Sequence, residues 1–191
     1  MASGNRGKLR EITGILSGLE IAVVPQSDFD VSEADENGDS FVANALIKAR
    51  HAAKETGLPA IADDSGLVVD ALGGRPGIFS ARFAGPGASD AANIDKLLQE
   101  LEQVDDANRG AAFHCVACFV MPDDSEPLIA KGTWRGRIAR QPQGDGGFGY
   151  DPVFIDPELG VSAARLSATQ KNQRSHRGKA LTELARQLGE R

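Results

Sequence analysis

Asp63 and Asp64 stand side by side after a short apolar run, Leu58-Pro-Ala-Ile-Ala62, and Ser65-Gly66 closes this strand off before the apolar Leu67-Val68-Val69. Adjacent carboxylates inside what otherwise reads as a buried strand are costly to desolvate, so a strand that keeps them delivers them to a metal, a water or a ligand. Asp-Ser-Gly would equally build an Asx-type turn between two short strands, and both readings stand at this point. In a regular strand side chains alternate, so Asp63 would face away from Asp64.

Three further polar clusters could bind an anion or a planar base. Ser3-Gly4-Asn5-Arg6-Gly7-Lys8 lies just ahead of the first helix, where glycines admit backbone N–H groups to an anion and Lys8 adds a full charge. It lacks the Walker spacing, so a standard P-loop is excluded, and a plain glycine-rich helix entry is the alternative. In Gln143-Gly-Asp-Gly-Gly-Phe-Gly-Tyr-Asp-Pro152, glycines around Phe148 permit close backbone approach and expose an aromatic face suited to a planar base. Asp151 then offers an acceptor to an N–H edge, unless the segment is a hairpin with its aromatic tucked into the core. In Lys171-Asn-Gln-Arg-Ser-His-Arg-Gly-Lys179, Ser175 can cap a helix and place His176 and Arg177 in its first turn. Cations there oppose the helix dipole, so they call for an anionic or electron-rich ligand or remain a solvated basic helix start.

Cys115 and Cys118 form a C-x-x-C, but inside the strand-like run Ala112-Phe-His-Cys-Val-Ala-Cys-Phe-Val-Met121. Positions three apart on a strand face opposite sides and cannot share a metal or a disulfide, so both read as structural thiols.

These residues must be positioned by alternating helices and strands. Leu9, Ile12, Ile15, Leu16 and Leu19 share one helical face, and Glu20-Ile-Ala-Val-Val24 then reads as a strand ended by Pro25. Acidic residues crowd Asp28 to Asp39. A helix capped by Ser40 runs through Phe41, Ala45, Ala49 and Ala52 to Gly57, and another runs from Ser89 or Asp90 to Leu101. Gly73-Gly74 and Pro76-Gly77 mark turns. Strands are expected over Phe113 to Met121 and Leu128 to Ala139, and a last helix from about Ser175 carries Leu181, Leu184 and Leu188 on one side. The order implies a three-layer or two-lobed α/β arrangement around a mixed sheet.

With 191 residues, 41% hydrophobic, 25% charged and a net charge of −6, the chain has the composition of one soluble globular domain able to bury a sizeable core. An isoelectric point near 5.1 argues against duplex nucleic acid as the main partner. No stretch approaches the roughly 20 apolar residues of a membrane span, and no signal-peptide pattern opens the chain, so a cytoplasmic location is expected.

Taken together, Ser-Gly-Asn-x-Gly-Lys, Phe41-x-x-Asn-Ala-x-x-Lys-Ala49, Ala62-Asp-Asp-Ser-Gly66, Gly73-Gly-x-Pro-Gly-x-x-Ser-Ala-Arg-Phe83, Gly147-Phe-Gly-Tyr-Asp-Pro152 and Ser175-His-Arg177 follow one order and spacing. The chain closely resembles, over essentially its whole length, the inosine/xanthosine triphosphate pyrophosphatases, housecleaning enzymes that remove non-standard purine nucleotides. The resemblance implies an elongated α/β domain of two lobes over 1–191 with the active cleft between them, and a homodimer. It also implies Mg²⁺-dependent hydrolysis of ITP, dITP or XTP to monophosphate and pyrophosphate. Carried onto this sequence, Ser3, Gly4, Asn5, Arg6, Gly7 and Lys8 would hold the triphosphate, and Glu36 and Asp64 the metal, with Asp64 the general base. Ser65, Phe148, Gly149, Tyr150, Asp151, Lys171, His176 and Arg177 would bind substrate, Phe148 stacking on the purine and His176-Arg177 reading its 6-oxo edge.

Two departures stand out. Relatives precede the Ser/Thr-x-Asn cradle with an apolar first strand, whereas only Met1-Ala2 precede Ser3; a late-assigned start or a truncation would account for this. Gln170 stands ahead of Lys171 where many relatives carry an acid, and little effect is expected. Two rivals remain: a pyrophosphatase acting on modified pyrimidine nucleotides, against which the Ser-His-Arg and Phe-Gly-Tyr-Asp segments weigh, and a non-catalytic purine-nucleotide sensor, which would need the cradle but not the base.

Overall fold

The computed structural model describes residues 1–2, 6–16, 22–123 and 125–190, with only the backbone of Arg6 and Arg10. Helix α1 spans Arg6–Leu16 and α2 spans Phe41–Thr56, followed by strand β1 over Ala60–Val69. Helix α3, Asp90–Glu100, leads to β2, Gly110–Val120, and β3, Leu128–Ile138. The chain then forms the short β4, Phe154–Ile155, and the consecutive helices α4, Ala168–Arg174, and α5, His176–Gly189. The four strands lie in the order β1-β2-β3-β4, and every pairing among the described residues is antiparallel.

Local chemistry sets the helix ends as the sequence predicts. Ser40 caps α2 by accepting the Ala43 N–H, and Gly57 closes it in the left-handed conformation at φ 68°. Ser89 and Ser175 cap α3 and α5 in the same way. Helix α4 was not foreseen: Ser167 and Gln170 form a reciprocal capping box. Gln170 therefore does the job that an acid could do at this position, because a glutamine side-chain oxygen accepts the N-cap N–H equally well.

Strand alternation sorts the sheet into two faces. On one face Ala60, Ala62, Val116, Cys118 and Val120 pack against Ala45, Ala49, Ala52 and Ala53 of α2. On the other, Ile61, Cys115, Ala117 and Ala130 meet Ile12 and Leu16 of α1 and Leu181 and Leu184 of α5. Farther along that second face, Leu67, Val69, Phe113 and Trp134 join Ile94, Leu97 and Leu101 from α3 and its exit. Asp63 and Ser65 fall between these two apolar clusters. Cys115 and Cys118 are free, buried and on opposite faces; burial pushes the Cys118 thiol up to about 12, so it stays protonated.

Several expectations are corrected. Ser65-Gly66 does not close the strand: β1 continues through it to Val69, paired residue for residue with β2, so the turn reading of Asp-Ser-Gly fails. Of the Glu20–Val24 strand, residues 20 and 21 lie outside the described residues, as does Leu19, and 22–24 carry no strand. Met1 and Ala2 instead lie along the edge of β1. The Ala2 N–H donates to Ile61 O at 2.9 Å, the Met1 amino group to Val24 O at 2.8 Å, and the Gln26 N–H to Met1 O at 2.9 Å.

Two features lock the packing. Arg109, buried between α3 and β2, donates to the carbonyls of Leu101, Val104, Ile138 and Ala139, tying the exit of α3 to the end of β3. Gly132 of β3 lies directly beneath the first turn of α5, where a Cβ would collide with the His176 carbonyl and the Ala180 N–H. Gly132→Ala must therefore push α5 off the sheet. Overpacking of this kind costs about 1–3 kcal/mol, so thermal melting should fall by roughly 2–10 °C for a chain of this size; an unchanged melting temperature would show that α5 does not pack this closely.

Candidate active site

Asp63 is buried to 1% exposure on the face that carries α1 and α5. Its Oδ2 receives Lys8 Nζ from α1 at 3.1 Å, Arg177 Nε from α5 at 3.3 Å and the Ser65 hydroxyl at 3.3 Å. Burial alone would raise this carboxyl, but the charges of Lys8, Arg177 and Lys48 outweigh it and hold Asp63 well below the usual carboxylate range. Arg177 also donates to Ser65 Oγ at 2.8 Å and to Glu11 Oε2 at 2.5 Å. Glu11 Oε1 in turn lies 3.0 Å from Lys171 Nζ. Despite its burial, Glu11 is also held below its ordinary pKa by Arg177 and Lys171. Lys8, Lys171 and Arg177 are thus drawn to one end of the sheet face by two carboxylates.

Asp64 points the other way, toward α2. Lys48 Nζ lies 3.0 Å from Asp64 Oδ1 and 3.0 Å from Glu36 Oε2, and the Asn44 amide reaches Asp64 Oδ2 at 3.5 Å. Burial raises the Asp64 carboxyl above the ordinary value even though Lys48 pulls it down. Lys48 is raised: its carboxylate neighbours Asp64 and Glu36 outweigh burial. The two neighbours in sequence therefore differ in kind. Asp63 is a fixed anion in an ion-pair network, while Asp64 is a carboxylate of elevated basicity facing open space.

That space is a cavity lined by Lys8, Glu36, Lys48, Asp64, Ser65, Phe148, Gly149, Tyr150, Asp151, Lys171, His176 and Arg177, among others. Asp63 is absent from its wall. Phe148 is brought there by a loop whose glycines Gly147 and Gly149 adopt φ of 75° and 59°. Asp151 Oδ2 fastens this loop by accepting the Phe148 N–H at 2.9 Å and Lys171 Nζ at 2.6 Å. The Asp151 carboxyl is raised by burial, with Lys171 opposing. The Phe148 ring lies under two cations, Lys171 Nζ at 4.7 Å and Arg177 Cζ at 5.4 Å from its centroid. Tyr150 is buried beneath and donates its hydroxyl to Ser80 O at 2.9 Å.

His176 stacks on Phe113, with ring centroids 4.7 Å apart and planes within 10°. Its Nδ1 is buried without a hydrogen-bond partner. Burial, reinforced by the charges of Arg177 and Lys171, depresses the His176 pKa far below its ordinary value, so the ring is neutral.

The structure brings Lys8, Glu36, Asp64, Ser65, Phe148–Asp151, Lys171, His176 and Arg177 to one cavity, as the sequence expectation requires. Ser3, Gly4 and Asn5 and the Arg6 side chain lie outside the described residues, and Gly7 opens α1 beside Lys8. Asp151 turns its carboxylate inward to its own loop and to Lys171 instead of leaving Oδ2 free for a base. Sequence reasoning gave no role to Glu11, Asn44, Lys48 or Asp90. Asn44 and Lys48 were legible as one face of α2, four residues apart behind the Ser40 cap. Glu11 was legible only as the acidic residue one turn beyond Lys8.

Two hard oxygen donors, Glu36 and Asp64, already converge on one positive centre, the Lys48 ammonium, and this donor set suits a divalent cation such as Mg²⁺. Among the described residues no cluster of three or more His, Cys, Asp or Glu side chains forms a self-sufficient metal site. A metal here would need ligand oxygens from a bound substrate.

The model of the Ham1 family matches residues 1–187. A dITP/XTP pyrophosphatase of Thioalkalivibrio sulfidiphilus is 56% identical over 189 residues, covering 98% of this chain and 96% of the relative. A dITP/XTP pyrophosphatase of Vibrio vulnificus is 53% identical over 191 residues, covering 100% of this chain and 96% of the relative. A HAM1 protein from Coxiella burnetii superposes with a TM-score of 0.91 at 51% identity, covering 100% of this chain and 97% of the other. A dITP/XTP pyrophosphatase from Mycobacterium abscessus gives 0.77 at 45% identity, covering 98% and 97%. With the match running from the first residues through α5, this chain belongs to the Ham1 family.

Proposed function

We propose that this protein hydrolyses non-standard purine nucleoside triphosphates, dITP, ITP and XTP, to the monophosphate and pyrophosphate, and so cleanses the nucleotide pool. The observation that carries the reading is the sharing of one cavity by three preset cations, a carboxylate of raised pKa and an aromatic platform. Lys8, with the Ser3–Gly7 segment, takes the triphosphate, while Lys171 and Arg177 flank the base platform; because Asp63, Glu11 and Asp151 already hold these cations, little reorganisation accompanies binding. Phe148 stacks on the purine, and His176 and Arg177 present donors to its 6-oxo group. Asp64 accepts the proton of the water that attacks the α phosphorus, and pyrophosphate leaves. Glu36 and Asp64 would hold Mg²⁺, which when bound supplies charge neutralisation to the polyphosphate. No covalent nucleophile is required. A single domain of two lobes, a homodimer and a cytoplasmic location complete the reading; the lobes and the dimer rest on the family resemblance, the location on the sequence reading.

A panel of nucleoside triphosphates with Mg²⁺, read by released pyrophosphate, tests the reaction class. Pyrophosphate from dITP, ITP or XTP, and far less from ATP, is expected; orthophosphate and a diphosphate as primary products would overturn the proposal, and binding without turnover would favour a sensor.

Asp64→Asn keeps size but cannot accept a proton, so kcat should fall by about 10² or more while KM changes little. Loss of turnover in Asp63→Asn with full activity in Asp64→Asn would reverse the two assignments. In Glu36→Gln a neutral amide replaces a hard anionic ligand, and the Mg²⁺ concentration for half-maximal rate should rise. An unchanged requirement would return Glu36 to the status of a solvated loop acid.

His176 offers two readouts, and His176→Phe keeps its stack on Phe113. Adenine presents a 6-amino donor where hypoxanthine presents an acceptor, and mispairing a buried polar group costs about 1–3 kcal/mol. The variant should therefore lose kcat/KM for dITP by about ten- to a hundredfold more than for dATP. The second readout is stability. Below about pH 6.5 an unfolded histidine binds a proton that buried His176 refuses, so the wild type loses up to about 1.4 kcal/mol per pH unit toward pH 5. His176→Phe removes that dependence; equal melting shifts from pH 7 to pH 5 in both proteins would mean that His176 titrates normally.

A further inference from the structure

The peptide between Phe148 and Gly149 is tied to a different part of the molecule from the rest of its loop. Its N–H, on Gly149, donates to Asp90 Oδ2 at 2.6 Å, in the first turn of α3. The fastenings on the other side of Phe148 run within its own segment and to the Ala163–Arg165 turn: the Phe148 N–H to Asp151, the Gln143 N–H to Pro152 O, and Gly146 set against Ala164 with no room for a Cβ. Asp90 is not needed as a helix cap, because Ser89 already accepts the Ala92 N–H. Its side chain lines the cavity beside Phe148 and Gly149. The bond is short and charge-assisted, and the carboxylate is exposed while the cavity is open.

We propose that Asp90 is a positioning residue for base recognition: by holding the Phe148–Gly149 peptide it sets the pitch of the Phe148 ring that receives the purine. The inference rests on the reading of Phe148 as the stacking platform. A left-handed glycine on each side leaves the Phe148 backbone free to swivel, so a tether on each flanking peptide is required to fix its ring, Asp151 on one side and Asp90 on the other. A purine lying on Phe148 excludes water from the Asp90 side of the cavity, and a hydrogen bond strengthens as its surroundings dry. Base binding and loop fixation thus reinforce each other, whereas the triphosphate end, held by Lys8 from α1, is untouched.

The test compares Asp90→Ala and Asp90→Asn with the wild type and Phe148→Ala in the full chain. Steady-state kinetics on dITP are combined with inhibition by IMP, which carries the base, and by pyrophosphate, which does not. Asp90→Ala should raise KM for dITP and the inhibition constant of IMP by about tenfold, with kcat within about twofold and pyrophosphate inhibition unchanged. Asp90→Asn retains an acceptor oxygen and should restore most of the KM. Both variants lose the same charge at the start of α3, so their melting temperatures should fall together and by little. That separates stability, which depends on the charge, from KM, which depends on the acceptor. Wild-type KM in Asp90→Ala, an Asn variant no better than the Ala one, or equal weakening of IMP and pyrophosphate would each overturn the inference. Undiminished IMP inhibition in Phe148→Ala would instead overturn the stacking reading on which it rests.

Discussion

A carboxylate as deeply buried as Asp63 stays ionised only if cations meet it, and it is met from two helices at once, by Lys8 of α1 and Arg177 of α5. Everything at the cavity follows from that requirement. The pairing fixes both helices on one face of the sheet between two apolar clusters, at the place where Gly132 lets α5 sit close. It also stores positive charge at the cavity wall without leaving it unpaired in the interior, which would be prohibitively costly. Glu11 extends the device to Lys171, so three cations are held in place at the cavity wall by carboxylates.

The alternation of a β-strand then places one dipeptide in two environments. Asp63 and Asp64 are adjacent and paired with Ala117 and Val116 of β2, yet they address opposite faces. One is stabilised as an anion by the helices on its side. The other, over α2, is only partly compensated by Lys48 and keeps a raised pKa. The acid proposed as base and its ion-paired neighbour are therefore adjacent residues with no loop between them, on a strand that is more rigid than a loop would be.

Much of this was legible in the sequence. The α2, α3 and α5 caps were written as Ser40, Ser89 and Ser175 ahead of periodic apolar residues, and the cysteines were correctly assigned to opposite faces by strand period alone. The acidic pair was flagged by the cost of burying it. Ser65-Gly66 misled as a strand stop because a local turn signal cannot report that Gly66 sits against Gly77 and Ser80, a tertiary reason for glycine within a strand. Helix α4 was overlooked although Ser167-x-x-Gln170 spelled its capping box. The long-range contacts of the cavity wall were beyond reach: Glu11 to Arg177 and Asp90 to Gly149 join segments far apart in the chain, and no periodicity encodes them.

The central claim, that Asp63 is the structural anion and Asp64 the strained functional one, is tested most directly by thermal melting of Asp63→Asn and Asp64→Asn side by side near neutral pH. Removing the Asp63 charge takes away the buried carboxylate that Lys8 and Arg177 share, and breaking a buried pair costs about 3–5 kcal/mol, so its melting temperature should fall by roughly 6–20 °C. Asp64 has a raised folded-state pKa, which means that its ionised form is disfavoured by folding above that pKa, so Asp64→Asn should melt at or above the wild-type temperature. Equal losses in the two variants, or a stable Asp63→Asn protein, would contradict the account.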